Sequence, residues 1–207
     1  MSKIFKTDQE EFWSGEFGNA YNERNKSDQL LASNMHFFSD ILKHCTSINA
    51  VLELGANVGM NIKALKLLLP FTKFSGVEIN QAAYETLITI DGVQGYHQSI
   101  FDFNPNEVYD FVFIKGVLIH INPEMLKLAY QKLYISSKKY ICIAEYYNPT
   151  PVALNYRGHN NKLFKRDFAG EFMTQFPDVE LIKYGFSYYG DRLFPQDDIT
   201  WFLFKKK

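Results

Sequence analysis

Cysteine is scarce in this chain of 207 residues: Cys45 and Cys142 are the only two, far apart and in no C-x-x-C pair. That spacing argues against a zinc site or a disulfide framework and suits a reducing compartment, so no metal is expected. An excess of either charge is also missing. The 22 basic and 23 acidic side chains leave a formal net charge of −1, which removes any global attraction toward nucleic acid or an anionic membrane. No apolar run is long enough to span a bilayer, and Met1 to Thr7 lacks the apolar core of a signal peptide. A cytoplasmic location with no membrane partner is therefore expected. Repeats, linkers and shifts of composition are absent, which points to one domain over 1–207. Hydrophobic residues, by contrast, make up 46% of the chain and aromatics 16%, ample for a packed core without covalent staples.

The chain is organised around Ala50 to Asn61. A short apolar run, Val51 to Leu54, meets a turn holding Gly55 and Gly59 and passes into the helical spacing of Met60, Ala64, Leu65 and Leu68, so the stretch reads as strand, glycine loop and helix. Glycine lets the backbone come close to a ligand, and a helix start offers unpaired N–H groups, so such a loop at a strand's carboxyl end builds a ligand site. The dinucleotide fingerprint G-x-G-x-x-G is broken by Asn57 in its middle position and by Met60 after Gly59, which disfavours a pyrophosphate. A second strand, Phe74 to Ile79, ends in Glu78. A carboxylate beside the loop can accept hydrogen bonds from both hydroxyls of a ribose.

Before the sheet, Phe12 to Asn25 is dense in aromatics and turn formers. It packs as an arm or closes over the ligand, with Trp13, Phe17 and Tyr21 as lid residues and Arg24 reaching a carboxylate. Together with the helix capped by Ser27 it fills 1–46. Val93 to His97 forms a third strand, followed by Ser99 and Ile100, with Asp102 close by. Tyr109 to Ile114 forms a fourth, with Lys115 and His120 at its carboxyl end, and Tyr140 to Glu145 a fifth. The polar segment 150–162 shows neither period and reads as a long functional loop, part of an acceptor-side region at about 146–165. Phe164, Phe168, Phe172 and Phe176 recur every fourth residue as the buried stripe of a helix. Val179 to Tyr189 and Asp198 to Phe204 close the chain as an antiparallel hairpin.

Glu53, Gly55, Asn57 and Gly59, with Glu78, resemble motifs I and II of the class I S-adenosylmethionine-dependent methyltransferases. More narrowly, the strings WSGEFGN at 13–19, EYYNPTPV at 145–152, YRG at 156–158, KLFKRDFAGE at 162–171 and FPQDDITW at 194–201 resemble the pseudaminic acid biosynthesis-associated methylases. The resemblance implies a Rossmann-like α/β fold with a seven-stranded, mostly parallel sheet closed by the antiparallel hairpin. It implies S-adenosylmethionine as cofactor and a small anionic sugar or sugar nucleotide as acceptor. Glu53, Gly55, Asn57, Gly59, Glu78, Ser99, Ile100, Lys115, Tyr21 and Trp13 are then cofactor-binding candidates, and Tyr146, Tyr147, Asn148, Arg157, Lys165 and Arg166 acceptor-binding ones. Glu145, His120 and His159 are candidates for the base that a hydroxyl acceptor needs. A non-catalytic nucleoside-binding protein on the same fold and a nucleotide-cofactor oxidoreductase acting on sugars are the alternatives.

Overall fold

Buried apolar strands need cover on both faces, and the computed structural model, which describes residues 5–22 and 27–207, supplies it with helices on each side. The strands are β1 (Ala50–Leu54), β2 (Lys73–Glu78), β3 (Val93–His97), β4 (Tyr109–Lys115), β5 (Ser137–Glu145), β6 (Val152–Tyr156), β7 (His159–Lys165), β8 (Val179–Ser187) and β9 (Ile199–Lys206). Seven of them form one sheet in the order β3-β2-β1-β4-β5-β9-β8. All pairs are parallel except β5 with β9 and β9 with β8. The order reverses between β1 and β4, and a crevice opens at such a switch point.

The helices are α1 (Asp8–Ser14), α2 (Glu16–Asn22), α3 (Asp28–Leu42), α4 (Met60–Leu68), α5 (Gln81–Leu87), α6 (Leu126–Ser136) and α7 (Phe168–Gln175). Ser27 caps α3 by accepting from the Leu30 N–H at 3.1 Å, and Asn80 caps α5 by accepting from the Ala83 N–H at 2.9 Å, as short polar side chains do at helix starts. One core cluster packs Phe37, Phe38, Ile41, Ile62 and Leu65 against one sheet face. The other packs Leu126, Tyr130, Leu133, Phe168 and Phe172 on the opposite face.

Three expectations change. The segment read as a long loop over 150–162 is instead the start of a two-stranded antiparallel hairpin, β6 with β7. Its turn places Arg157 at φ 52° and Gly158 at φ 90°, the left-handed pair that a two-residue hairpin turn requires. Phe164 consequently belongs to β7, and α7 begins only at Phe168 behind its cap Asp167, whose side chain accepts from the Gly170 N–H at 2.8 Å. Lys165 therefore ends β7 and Arg166 follows it in an isolated bridge to Tyr147, and neither opens a helix. The aromatic arm is two short helices, α1 and α2. The expected role of Arg24 lies outside the described residues.

Candidate active site

A cavity of about 380 Å³ opens over the carboxyl ends of β1, β2 and β4, in the size range of small-molecule sites. Its floor is the glycine loop. Gly55 at φ 81°, Asn57 at φ 47° and Gly59 at φ 80° take left-handed backbone, which glycine adopts freely and asparagine tolerates better than most residues. Added Cβ atoms would lie 2.6 Å from Val117 at Gly55 and 2.5 Å from Ile90 at Gly59. Asn57 thus continues the loop's geometry rather than spoiling it.

Glu78 is 7% exposed and lines the cavity. One carboxylate oxygen accepts from the Asn57 N–H at 2.7 Å and the other from the Asn80 N–H at 2.7 Å, so this side chain ties the loop to the start of α5. Beneath the loop, Glu53 is 1% exposed and accepts at Oε1 from Asn61 Nδ2 at 2.6 Å. Its Oε2, like Asn61 Oδ1, is buried with no donor among the described residues. Burial pushes the Glu53 carboxyl up to about 8 and the Lys115 ammonium below its ordinary value. Lys115 Nζ lies 3.4 Å from Asn34 Oδ1. Asn61 lines the cavity and Glu53 lies behind it, and two orphaned acceptors so placed suit a ligand's cationic or N–H group.

The roof is the N-terminal pair of helices. Trp13, Tyr21, Gln9 and Glu10 all line the cavity, and an asparagine network holds the pair down: Asn57 Nδ2 donates to Asn22 Oδ1 at 2.7 Å, and Asn80 Nδ2 to Asn19 Oδ1 at 2.8 Å. At the far side, Ser99 donates its hydroxyl to the buried carboxylate of Glu10. Sequence reading missed Glu10, although the pattern Thr7 to Glu10 is a capping box that could have placed a helix there.

His120 closes a single 3₁₀ turn, Leu118–His120, at the cavity wall. Its Nδ1 lies 2.6 Å from the Lys162 carbonyl oxygen, and a carbonyl only accepts, so Nδ1 carries the hydrogen and Nε2 keeps its lone pair. Burial holds the ring's pKa down at about 4. Trp13 and Tyr156 flank it, with ring centroids 4.5 and 4.8 Å away.

No protein-family profile and no curated protein matches the chain. Solved structures do. A SAM-dependent methyltransferase from Leishmania major aligns with TM-score 0.71 at 15% identity, covering 96% of this chain and 81% of that one. Magnesium protoporphyrin IX methyltransferase from Synechocystis with bound SAH aligns at 0.70 and 10%, covering 98% and 100%. The plantazolicin methyltransferase BpumL in complex with SAH aligns at 0.67 and 12%, covering 96% and 94%. The chain has the class I methyltransferase fold.

Within that fold the cavity gathers Gly55, Asn57, Glu78, Ser99, Ile100, Lys115, Trp13, Tyr21, His120, Tyr146 and Arg157 from the residues singled out in the sequence. Glu53 sits behind it, joined through Asn61. The remaining candidates are placed elsewhere, and each has a physical reason. Glu145 is 2% exposed and accepts from the N–H groups of Val117 at 3.0 Å, Leu118 at 2.8 Å and Ile119 at 3.4 Å. It anchors the turn that carries His120 and is no free base. His159 packs on Phe12 and Phe17, with centroids 4.9 and 5.7 Å apart, clasping the hairpin to the roof outside the cavity. Arg166 is bound to Glu171 at 2.6 Å, and Lys165 lies over the Tyr146 ring at 5.0 Å. Tyr147 is 43% exposed, and Asn148 donates to the Thr150 carbonyl at 2.5 Å. Among the described residues no group of His, Cys, Asp and Glu could hold a metal ion, and no helix is long and apolar enough to cross a membrane.

Proposed function

We propose that the protein transfers a methyl group from S-adenosylmethionine to a hydroxyl of a small molecule, with His120 as general base. The observation that carries this reading is one cavity lined by the glycine loop, by Glu78 and by a buried histidine whose Nδ1 is already engaged by the Lys162 carbonyl. Glu78 would hold the ribose and Ser99 with Ile100 the adenine. The loop backbone, with Glu53 and Asn61 behind it, would hold the methionine portion, whose ammonium answers the orphaned acceptors.

The cofactor supplies a methyl that is already electrophilic. The chain must then hold the acceptor in line, exclude water and take a proton. An oxygen bearing both the new methyl and its old hydrogen is a far stronger acid than an imidazolium, so a base whose conjugate acid sits at about 4 still accepts that proton. Calorimetry with S-adenosylmethionine and SAH, with mass spectrometry of any co-purifying ligand, tests the reading, and failure to bind either compound overturns it.

The Glu53 shift adds a pH signature. Below about 8 the free carboxyl is protonated, and a bound ammonium favours its ionised form, so binding at pH 7 releases a proton and affinity rises with pH up to about 8. The same titration in two buffers of different ionisation enthalpy should give different apparent enthalpies. Identical values would remove the ammonium from Glu53.

For the acceptor, the reading is an anionic sugar or sugar nucleotide of nonulosonic acid biosynthesis, acted on in the cytoplasm. Its support is Arg157 on the cavity lining and the resemblance of the strings quoted above to the pseudaminic acid-associated methylases. Arginine's planar fork suits a carboxylate or phosphate. With Lys165 and Arg166 engaged elsewhere, Arg157→Ala is expected to raise the acceptor KM about tenfold, the value of one charge-assisted bond, and to leave cofactor affinity unchanged. Steady-state kinetics beside calorimetry checks both halves.

A further inference from the structure

Gln9 and Trp13 stand one turn apart on α1, both lining the cavity, and each carries a buried polar atom with no partner among the described residues: Gln9 Oε1 and Trp13 Nε1. Gln9 is 8% exposed. Its amide is not free to turn, because Nε2 donates to the Asn161 carbonyl at 3.0 Å and leaves Oε1 as the unanswered end. The Trp13 ring is held edge-on by Phe17 and Tyr21, with centroids 5.4 and 5.3 Å away, and lies 4.5 Å from the His120 ring. Buried polar atoms are nearly always paired in native structures, so two orphans on one helix face point to something that enters the cavity.

Resting on the methyl-transfer reading above, we infer that Gln9 and Trp13 recognise the acceptor, and that they select a polyhydroxylated ring over a planar aromatic one. Three unanswered positions belong to residues on the cavity lining: Nε2 of His120 and Oε1 of Gln9 need donors, and Nε1 of Trp13 needs an acceptor. Neighbouring hydroxyls on a saturated ring meet all three, since each both donates and accepts. A phenol satisfies His120 alone and leaves the other two unpaired, the arrangement by which a polar site rejects an analogue.

The test uses the two indole N–H signals of the ¹⁵N-labelled full chain. Its tryptophans are Trp13 and Trp201, and Trp201, 2% exposed in β9, is the internal control. The SAH-saturated protein is titrated with N-acetylneuraminic acid, with methyl glucoside and with phenol. The sugars are expected to move the Trp13 signal and slow its exchange with water, while phenol leaves it in place. Gln9→Leu and Gln9→Glu should each weaken the sugar response about three- to tenfold, one neutral hydrogen bond, with SAH affinity unchanged. A Trp13 signal unmoved by both sugars in protein that binds SAH, or moved by phenol alone, overturns the inference. Failure to bind SAH at all counts instead against the methyl-transfer reading.

Discussion

Glu78→Ala is expected to weaken S-adenosylmethionine binding by about 100-fold or more, the largest loss from any single side chain on the cavity. Two charge-assisted hydrogen bonds to ribose hydroxyls contribute about 1.5–3 kcal/mol each. The loss goes further, because the same carboxylate accepts the Asn57 and Asn80 N–H groups at 2.7 Å each. Without it both amides lose their acceptor, and the left-handed turn at Asn57 loses its tie to α5. Glu78→Gln keeps the volume and one acceptor oxygen and should fall between alanine and wild type. Calorimetry gives the order directly, and an alanine variant that binds as tightly as wild type would remove Glu78 from the ribose.

Four of the five parallel strands, β1, β2, β4 and β5, were legible because each is a mostly apolar run that stops at a residue breaking it: Gly55, Glu78, Lys115, Glu145. Burial on both faces leaves no room for polar alternation, so the pattern survives without tertiary information. The β6–β7 hairpin was not. Val152, Leu154 and Tyr156 do alternate, yet Val152 and Leu154 are 39% and 40% exposed, and the turn is Arg157-Gly158 rather than the Asn-Gly that signals a hairpin. Reading the segment as a loop also displaced Phe164, Lys165 and Arg166 by one element. A four-residue aromatic period cannot distinguish a helix from a strand end followed by a helix.

The site divides in the same way. Glycines and strand-end acids announce themselves by type and spacing, so Gly55 and Glu78, both on the cavity lining, could be picked out in the sequence, as could Gly59, which stands off that lining. Gln9 and Glu10 could not, because their place depends on α1 folding back over a cavity whose floor lies some fifty residues later. Glu145 shows the opposite failure. An acid at a strand's carboxyl end looks available in sequence, and only the three N–H groups of residues 117–119 reveal that it is spent on holding a turn. In the methyl-transfer reading proposed above, the base is instead the residue that turn presents.

That residue is His120, and His120→Ala is expected to lower kcat by about 10²–10³ at saturating cofactor, the usual contribution of a positioned general base, with little change in SAH affinity. His120→Gln can still donate to the Lys162 carbonyl but carries no basic nitrogen, so it should retain the closed hairpin without recovering the rate. The pH profile should carry the mark of burial. An ordinary imidazole titrates near 6.5, whereas burial holds this one at about 4. The neutral ring therefore persists down to that pH, and the acceptor's kcat/KM should show no histidine inflection between pH 5 and 8. The same claim can be read without any acceptor by following the imidazole carbon-bound proton signals of the five histidines through that range. The His120 signal should stay fixed in wild type and be missing from His120→Gln. A signal that titrates near 6.5 would mean that the ring reaches bulk water and the lone pair at Nε2 is not reserved for the acceptor's proton. The rate loss in His120→Ala would then have to come from the turn or the hairpin instead.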